Sequence, residues 1–328
     1  MNRAYKFRLY PNDKQIATLN NNIALCRHLY NAGLEQRILA YKSGQPTNYY
    51  QQKRELVEVK KDLPEYSMIY SHTLQDVLDR LDKAYKSFFR RVKNGERRGF
   101  PRFKSDKRFR SITFDRYGFR VLPNGHLKLT KVGTIRMFKH RGIEGTIKTC
   151  TIKRDAVGDW WATISAELPD VPKQEPKTAI GIDVGLEKLV TLSTGEIIQP
   201  PKFLSESEEK LKAIQREVSR KQNGSNNRRK CVKRLAKAHR RIERQRDDFL
   251  HKASRELSRK ADVIVFENLN ISGMQSNHHL AKSIGDASWG KFMQMTDYKA
   301  AEAGSLVVYV NPNGTSQICS RCGEIVQK

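Results

Sequence analysis

Acidic residues are scarce in this chain of 328 residues: 35 Asp and Glu stand against 62 Lys and Arg, a formal net charge of +27. That imbalance excludes an ordinary charge-neutral surface and sets up a field that concentrates polyanions, nucleic acid first among them. Long apolar runs are missing too. None approaches the ~18 residues of a spanning helix, so an anionic membrane is set aside as partner. Met1–Tyr10 alternates like a strand and has no apolar block of the signal-peptide kind, which points to the cytoplasm. Cysteine is sparse: Cys26, Cys150 and Cys231 are scattered singly, and only Cys319 and Cys322 are paired in sequence. A disulfide framework is therefore excluded. The length suffices for a substantial core, divided between two or three domains.

Tyr5, Phe7 and Leu9 alternate with Lys6, Arg8 and Tyr10, the pattern of a half-buried strand. Pro11 ends it, and Asn12 or Asp13 caps a helix with Ile16, Leu19, Ile23, Cys26, Tyr30, Leu34 and Ile38 at helical spacing. A second helix is predicted over 50–61. A third follows Ser71, its stripe running from Leu74 through Leu81 to Tyr85, Phe88 and Phe89 and read as core. Residues 11–98 thus read as a helical module. The stretch 93–110 is basic and punctuated by Gly and Pro. It interleaves Arg97, Arg98, Arg102, Lys104, Arg108 and Arg110 with Phe100, Phe103 and Phe109, offering phosphate contacts and π-faces for unpaired bases. Residues 111–168 turn β-rich, with strands predicted at 112–114, 119–122, 127–129, 146–152 and 160–166. With 1–10 they suggest a small antiparallel barrel over 1–10 and 99–170.

After a linker at 169–177, Ile180, Ile182 and Val184 form a β-branched run with Asp183 inside it, and Gly181 and Gly185 leave room for close approach to the backbone. A buried-strand carboxylate is costly unless it is paired or holds a cation. Strands at 188–193 and 196–199 follow. Residues 205–260 then read as a basic hairpin of two long helices joined near 223–227, with Leu211, Ile214 and Val218 facing Val232, Leu235, Ala238 and Ile242. Its outer side carries Arg228, Arg229, Lys230, Lys233, Arg234, Lys237, Arg240 and Arg241. So few acids balance these cations that a polyanion is expected along them. A buried strand at 261–269 has Glu267 near its end; a helix over 286–303 and a strand at 306–310 complete the pattern.

Three strands, a helix, a strand, a helix and a strand, with acids on the first and fourth strands, is the layout of an RNase H-like α/β domain, here over 171–310. Asp183 and Glu267 would project side by side and ligate Mg²⁺ (or Mn²⁺) through oxygen. The assignment is Asp183 bridging two ions and Glu267 binding one, for metal-assisted phosphodiester hydrolysis. No convincing third acid accompanies them: Asp286 reads as a helix N-cap and Asp297 as an exposed acid. Cys319 and Cys322, in the segment 311–328, are half of a zinc-ribbon site. Zn²⁺ takes four ligands, so the pair holds it only if two more are supplied, and a redox pair is the other reading. His278 and His279 read as a polar loop, which argues against a tyrosine transposase.

The chain resembles the TnpB (OrfB-like) proteins of bacterial and archaeal insertion sequences, relatives of compact type V CRISPR effectors. The resemblance lies in Tyr5-Lys-Phe-Arg-Leu-Tyr-Pro11, Gly99-Phe-Pro-Arg-Phe-Lys104, Gly181-Ile-Asp-Val-Gly185, Phe249-Leu-His-Lys252, Glu267-Asn-Leu269, Trp289-Gly-Lys-Phe292, Tyr298-Lys-Ala-Ala301 and Thr315-Ser-Gln-Ile-Cys-Ser-Arg-Cys-Gly323. It implies an RNA-guided DNA endonuclease of prokaryotic cytoplasm, nucleoid-associated when DNA-bound. It further implies a guide RNA and a double-stranded target DNA as partners, a wedge-like barrel and a RuvC-like active site at Asp183 and Glu267. In such proteins base pairing reads sequence while the protein reads backbone shape. Family members continue to a second Cys-x-x-Cys and a third catalytic acid that this sequence does not contain. Two expectations therefore stand: impaired cleavage in a truncated nuclease, or RNA-guided DNA binding without cleavage, as a repressor or roadblock.

Overall fold

The computed structural model describes residues 1–97, 99–172, 175–200, 203–274 and 276–312. The chain divides into two compact units, Met1–Pro169 and Asp170–Lys328.

The first unit opens with strand β1 (Asn2–Tyr10). Helix α1 (Asp13–Lys42) follows behind a capping box, in which Asn12 Oδ1 accepts from the Gln15 N–H and Gln15 Oε1 from the Asn12 N–H. Helix α2 is Tyr49–Asp62, with Asn48 as its cap, and helix α3 is Ser71–Lys93. Strands β2 (Ser111–Asp115), β3 (Phe119–Val121), β4 (Leu127–Leu129), β5 (Gly133–Phe138), β6 (Thr146–Arg154) and β7 (Trp160–Glu167) then form, with β1, one seven-stranded sheet. Its order is β2-β6-β7-β1-β5-β4-β3, every pairing is antiparallel, and it curls into a nearly closed barrel.

The inward residues of the barrel share one apolar core with the buried faces of the helices: Phe7, Leu9, Ile112, Phe114, Ile135 and Ile164 join Leu19, Leu34, Leu74 and Leu81. Strand β5 carries only two inward side chains, Ile135 and Met137, and the sequence pattern did not point to it. The stripe of α3 is fully buried only as far as Leu81. Beyond it Tyr85 still packs, partly buried, against the core, while Phe88 and Phe89 lie partly in solvent and join Tyr85 and Phe100 in a surface aromatic cluster.

The second unit contains β8 (Ala179–Val184), β9 (Val190–Leu192), β10 (Ile197–Ile198), α4 (Phe203–Glu206), α5 (Glu208–Arg220), α6 (Asn226–Leu257), β11 (Val263–Glu267), α7 (Ile271–Met274), α8 (His278–Ala287), α9 (Trp289–Ala303) and β12 (Leu306–Val310). The sheet order is β10-β9-β8-β11-β12. The first three strands form an antiparallel meander, and β8, β11 and β12 run parallel. Asp262 locks the entry to β8: its Oδ2 accepts from the N–H groups of Lys177 and Thr178 and from the Thr178 hydroxyl, which holds its carboxyl below the usual range. Ile180, Ile182, Val184, Ile264 and Phe266 point to one face and pack with Leu250 and Leu257 of α6 and Phe292 of α9.

Three expectations give way here. His278 and His279 open α8 rather than lying in a polar loop. The helix expected over 286–303 is two helices, broken where Ser288 takes φ 54°, ψ 40°. The hairpin seam is built on Leu211, Ile214, Cys231 and Ile242, while Val232 is 42% exposed. No helix among the described residues is long and apolar enough to cross a membrane.

Candidate nucleic-acid interface and carboxylate pair

In the parallel pair β8–β11, Phe266 stands opposite Ile182, so the next residues, Glu267 and Asp183, are neighbours at the C-terminal ends of adjacent strands. Adjacent strands lie about 4.8 Å apart, and alternation turns both carboxylates away from the face that packs against α6 and α9. Asp183 is exposed and Glu267 half-buried. Neither is engaged by a cation or a hydrogen-bond donor among the described residues, in contrast to Asp262. Two unpartnered hard oxygen donors side by side fit a divalent cation such as Mg²⁺. The room at Gly185 is taken by the chain itself, since a Cβ there would lie 2.9 Å from the Lys188 carbonyl oxygen. That turn and the bond from Trp289 Nε1 to the Gly185 carbonyl (3.1 Å) fix the strand end beyond Asp183.

The two other acids considered from sequence are committed elsewhere. Asp286 is not an N-cap. It lies near the end of α8, where its Oδ1 accepts from Arg246 Nη2 at 2.7 Å. Asp297 is half-buried rather than exposed, and both its oxygens accept from the Tyr309 hydroxyl (2.8 and 2.9 Å); burial, then this bond to a carboxylate, pushes that phenol's pKa up. Tyr309 pairs with Phe266 in register and stacks on it, so Asp297 belongs to the face opposite Asp183 and Glu267. Among the described residues no cluster of three or more His, Cys, Asp or Glu suits a metal ion. Cys319 and Cys322 lie outside the described residues.

The basic residues of the hairpin sort along α6. Arg229, Lys230, Lys233, Arg234, Lys237 and Arg241 are exposed, while Arg228 and Arg240 are half-buried. At 100° per residue, positions 229 to 241 of that set share one side about 140° wide, and Cys231 and Ile242 fall on the other. Glu217 of α5 neutralises one of them, pairing with Arg234 and accepting from Cys231 Sγ at 3.1 Å.

In the loop, Arg97, Arg102, Phe103 and Arg108 are exposed and Lys104 and Arg110 half-buried; Arg98 lies outside the described residues. Phe109 departs from expectation. It is buried, tilted against Tyr30 at 6.2 Å, and is not a π-face for bases. Asn31 of α1 explains this: its side chain bonds both the N–H and the carbonyl of Lys104, which draws the loop onto the helix.

The chain's fold and its cationic surfaces are compatible with a polyanionic ligand, and comparison with known proteins gives the family. Residues 163–278 match a family described as "Probable transposase", 1–46 one described as "Helix-turn-helix domain" and 289–328 one described as "Cas12f1-like, TNB domain". Residues 1–46 hold a strand and one uninterrupted helix, so the second description does not fit the local geometry. A Streptomyces pristinaespiralis protein named "Putative RNA-guided DNA endonuclease" is 38% identical over 98% of this chain and 81% of its own length. An Escherichia coli (strain K12) protein named "Putative RNA-guided DNA endonuclease InsQ" is 30% identical over 99% of this chain and 84% of its own length. A Cas12f1 solved with sgRNA and target DNA shares the fold, with a TM-score of 0.58 at 15% identity, covering 99% of this chain and 92% of that one. The chain belongs to the TnpB (OrfB-like) family.

Proposed function

We propose that this chain binds a guide RNA and a double-stranded DNA target. Asp183 and Glu267 form its metal-dependent phosphodiester-cleaving centre, of the RuvC-like, RNase H type. The observation carrying this is the placement of two unpartnered carboxylates at the ends of adjacent parallel strands. Support comes from the strand order, a three-stranded meander extended by two parallel strands, and from the names of the relatives. Asp183 and Glu267 would hold Mg²⁺ or Mn²⁺, which supplies an activated water and offsets charge on the phosphate. The face of α6 would track a phosphate backbone, and loop 97–110 would add phosphate contacts and the exposed Phe103. Residues 1–10 with 99–170 would form the wedge-like domain and 11–98 the recognition module.

Among the described residues two acids, not three, stand at this centre. The second reading is therefore guided binding with cleavage impaired by ~10²–10³ or abolished, since one lost electrostatic contact alone costs that much. Purification from cells carrying a matched plasmid tests both readings. The expected result is co-purified RNA, target binding that requires a match to that RNA, and little cutting in Mg²⁺. Efficient cutting abolished by Asp183→Ala would refute impairment, and binding indifferent to the match would refute guidance.

A further inference from the structure

The barrel has an outer surface that none of these roles uses. Leu9 and Met137, opposite each other on β1 and β5, point into the core. The flanking pairs, Arg8 with Phe138 and Tyr10 with Arg136, therefore point outward and alternate cation and ring. Tyr10 is 50% and Phe138 61% exposed, an unusual position for two large rings on adjacent strands. The Arg8 and Arg136 guanidinium carbons each stand 5.6 Å from the Tyr10 ring centre, and Phe138 stacks on His140 at 6.0 Å. The turn between β3 and β4 rises beside them, tightened by Gly125 at φ 79° and by the His126 N–H donating to Asn124 Oδ1. Between turn and strands is a cavity of about 700 Å³ lined by Tyr10, Asn124, His126, Arg136, Phe138 and Lys139 among others, with no acid in its wall among the described residues.

We propose that this cavity binds a single unpaired nucleotide: its base against Tyr10 and Phe138, its phosphate at Arg136 and Lys139, and its polar edge towards Asn124 and His126. The chemistry selects this occupant. The volume lies within the ~300–1,000 Å³ of small-ligand sites. Two accessible rings suit a base, for which aromatic stacking is tolerant of sequence. The cations suit phosphate, and an acid-free wall disfavours a cationic or polyol ligand. The inference rests on the nucleic-acid-binding reading but assigns it to barrel residues other than those of loop 97–110.

The probes are a ten-nucleotide uridine RNA carrying one 2-aminopurine, the same sequence in DNA, and a blunt 12-base-pair duplex, each titrated with the full chain. Stacking should quench the 2-aminopurine, and quenching confined to the RNA or the DNA decamer identifies which strand the site takes. Phe138→Ala and Tyr10→Ala truncate exposed rings. Each should weaken decamer binding by roughly tenfold and relieve the quench, with duplex affinity unchanged. Arg136→Met should lower the salt dependence of decamer binding by about one charge. Unaltered decamer affinity and quench in both ring variants would overturn the assignment while leaving the wider reading intact. A wild-type chain that binds none of the three probes would remove both.

Discussion

Replacing Lys230, Lys233 and Lys237 together by Gln isolates the basic face of α6. All three are exposed, none has an ion pair among the described residues, and they fall within about 60° of one another on the helix. The partnered cation Arg234 is left in place. If each lysine neutralises one phosphate, the slope of log K against log salt should become shallower by about 0.7 per charge on a single strand and 0.9 on a duplex. The expected change is therefore about 2 to 3. Fluorescence anisotropy of a labelled 20-nucleotide RNA and a 20-base-pair DNA, from 50 to 400 mM KCl, reads it. Thermal stability should hold or rise slightly, because self-repulsion along the helix falls. A merely solvated face would give the same stability change with a slope altered by less than about 0.5, and that result would refute the argument.

Three further outcomes follow from buried or constrained groups. Lys299, 4% exposed, donates to Ser254 Oγ at 2.7 Å, and burial pulls its pKa down to about 8. The unfolded chain thus binds more protons from about pH 8 to 10.5, and wild-type stability should rise with pH there relative to Lys299→Met, by up to about 1.4 kcal/mol per unit. Denaturant titration at pH 7.5 and 9.5 reads the difference; a constant gap would contradict the burial argument. Gly145 has φ 84°, and a Cβ there would meet the Glu167 carbonyl oxygen at 2.4 Å, so Gly145→Ala should cost about 2 kcal/mol or more of first-unit stability, visible in urea unfolding. Tyr309→Phe leaves Asp297 without its donor and should cost about 1 kcal/mol while leaving divalent-metal affinity unchanged, because that pair lies on the other face of the sheet. A metal affinity that falls with it would place Asp297 in the centre.

Periodicity made most strands and helices legible, because they bury one face and show it as alternation or a helical stripe. Strand β5 escaped because only Ile135 and Met137 turn inward, between a turn at Gly133 and the exposed Phe138. The pairing of Asp183 with Glu267, 84 residues apart, could be anticipated because each acid stands near the end of an apolar strand and a parallel register brings such ends together. The fates of Phe109, Asp286 and Asp297 could not. Each depends on one distant partner: Tyr30, Arg246 and Tyr309 respectively. The outer cavity of the barrel was hidden for the same reason, since only strand pairing brings Tyr10 and Phe138 to one outer surface.

That Asp183 and Glu267 hold a divalent cation between them is tested most directly by Mn²⁺ titration of the full chain, followed by electron paramagnetic resonance. The strong positive charge of the chain disfavours adventitious cation sites. The expected result is saturable Mn²⁺ binding in the wild-type chain that is lost in Asp183→Ala and in Glu267→Ala, with circular dichroism unchanged. Mn²⁺ binding that survives both substitutions, or none in the wild type, would contradict the proposed centre.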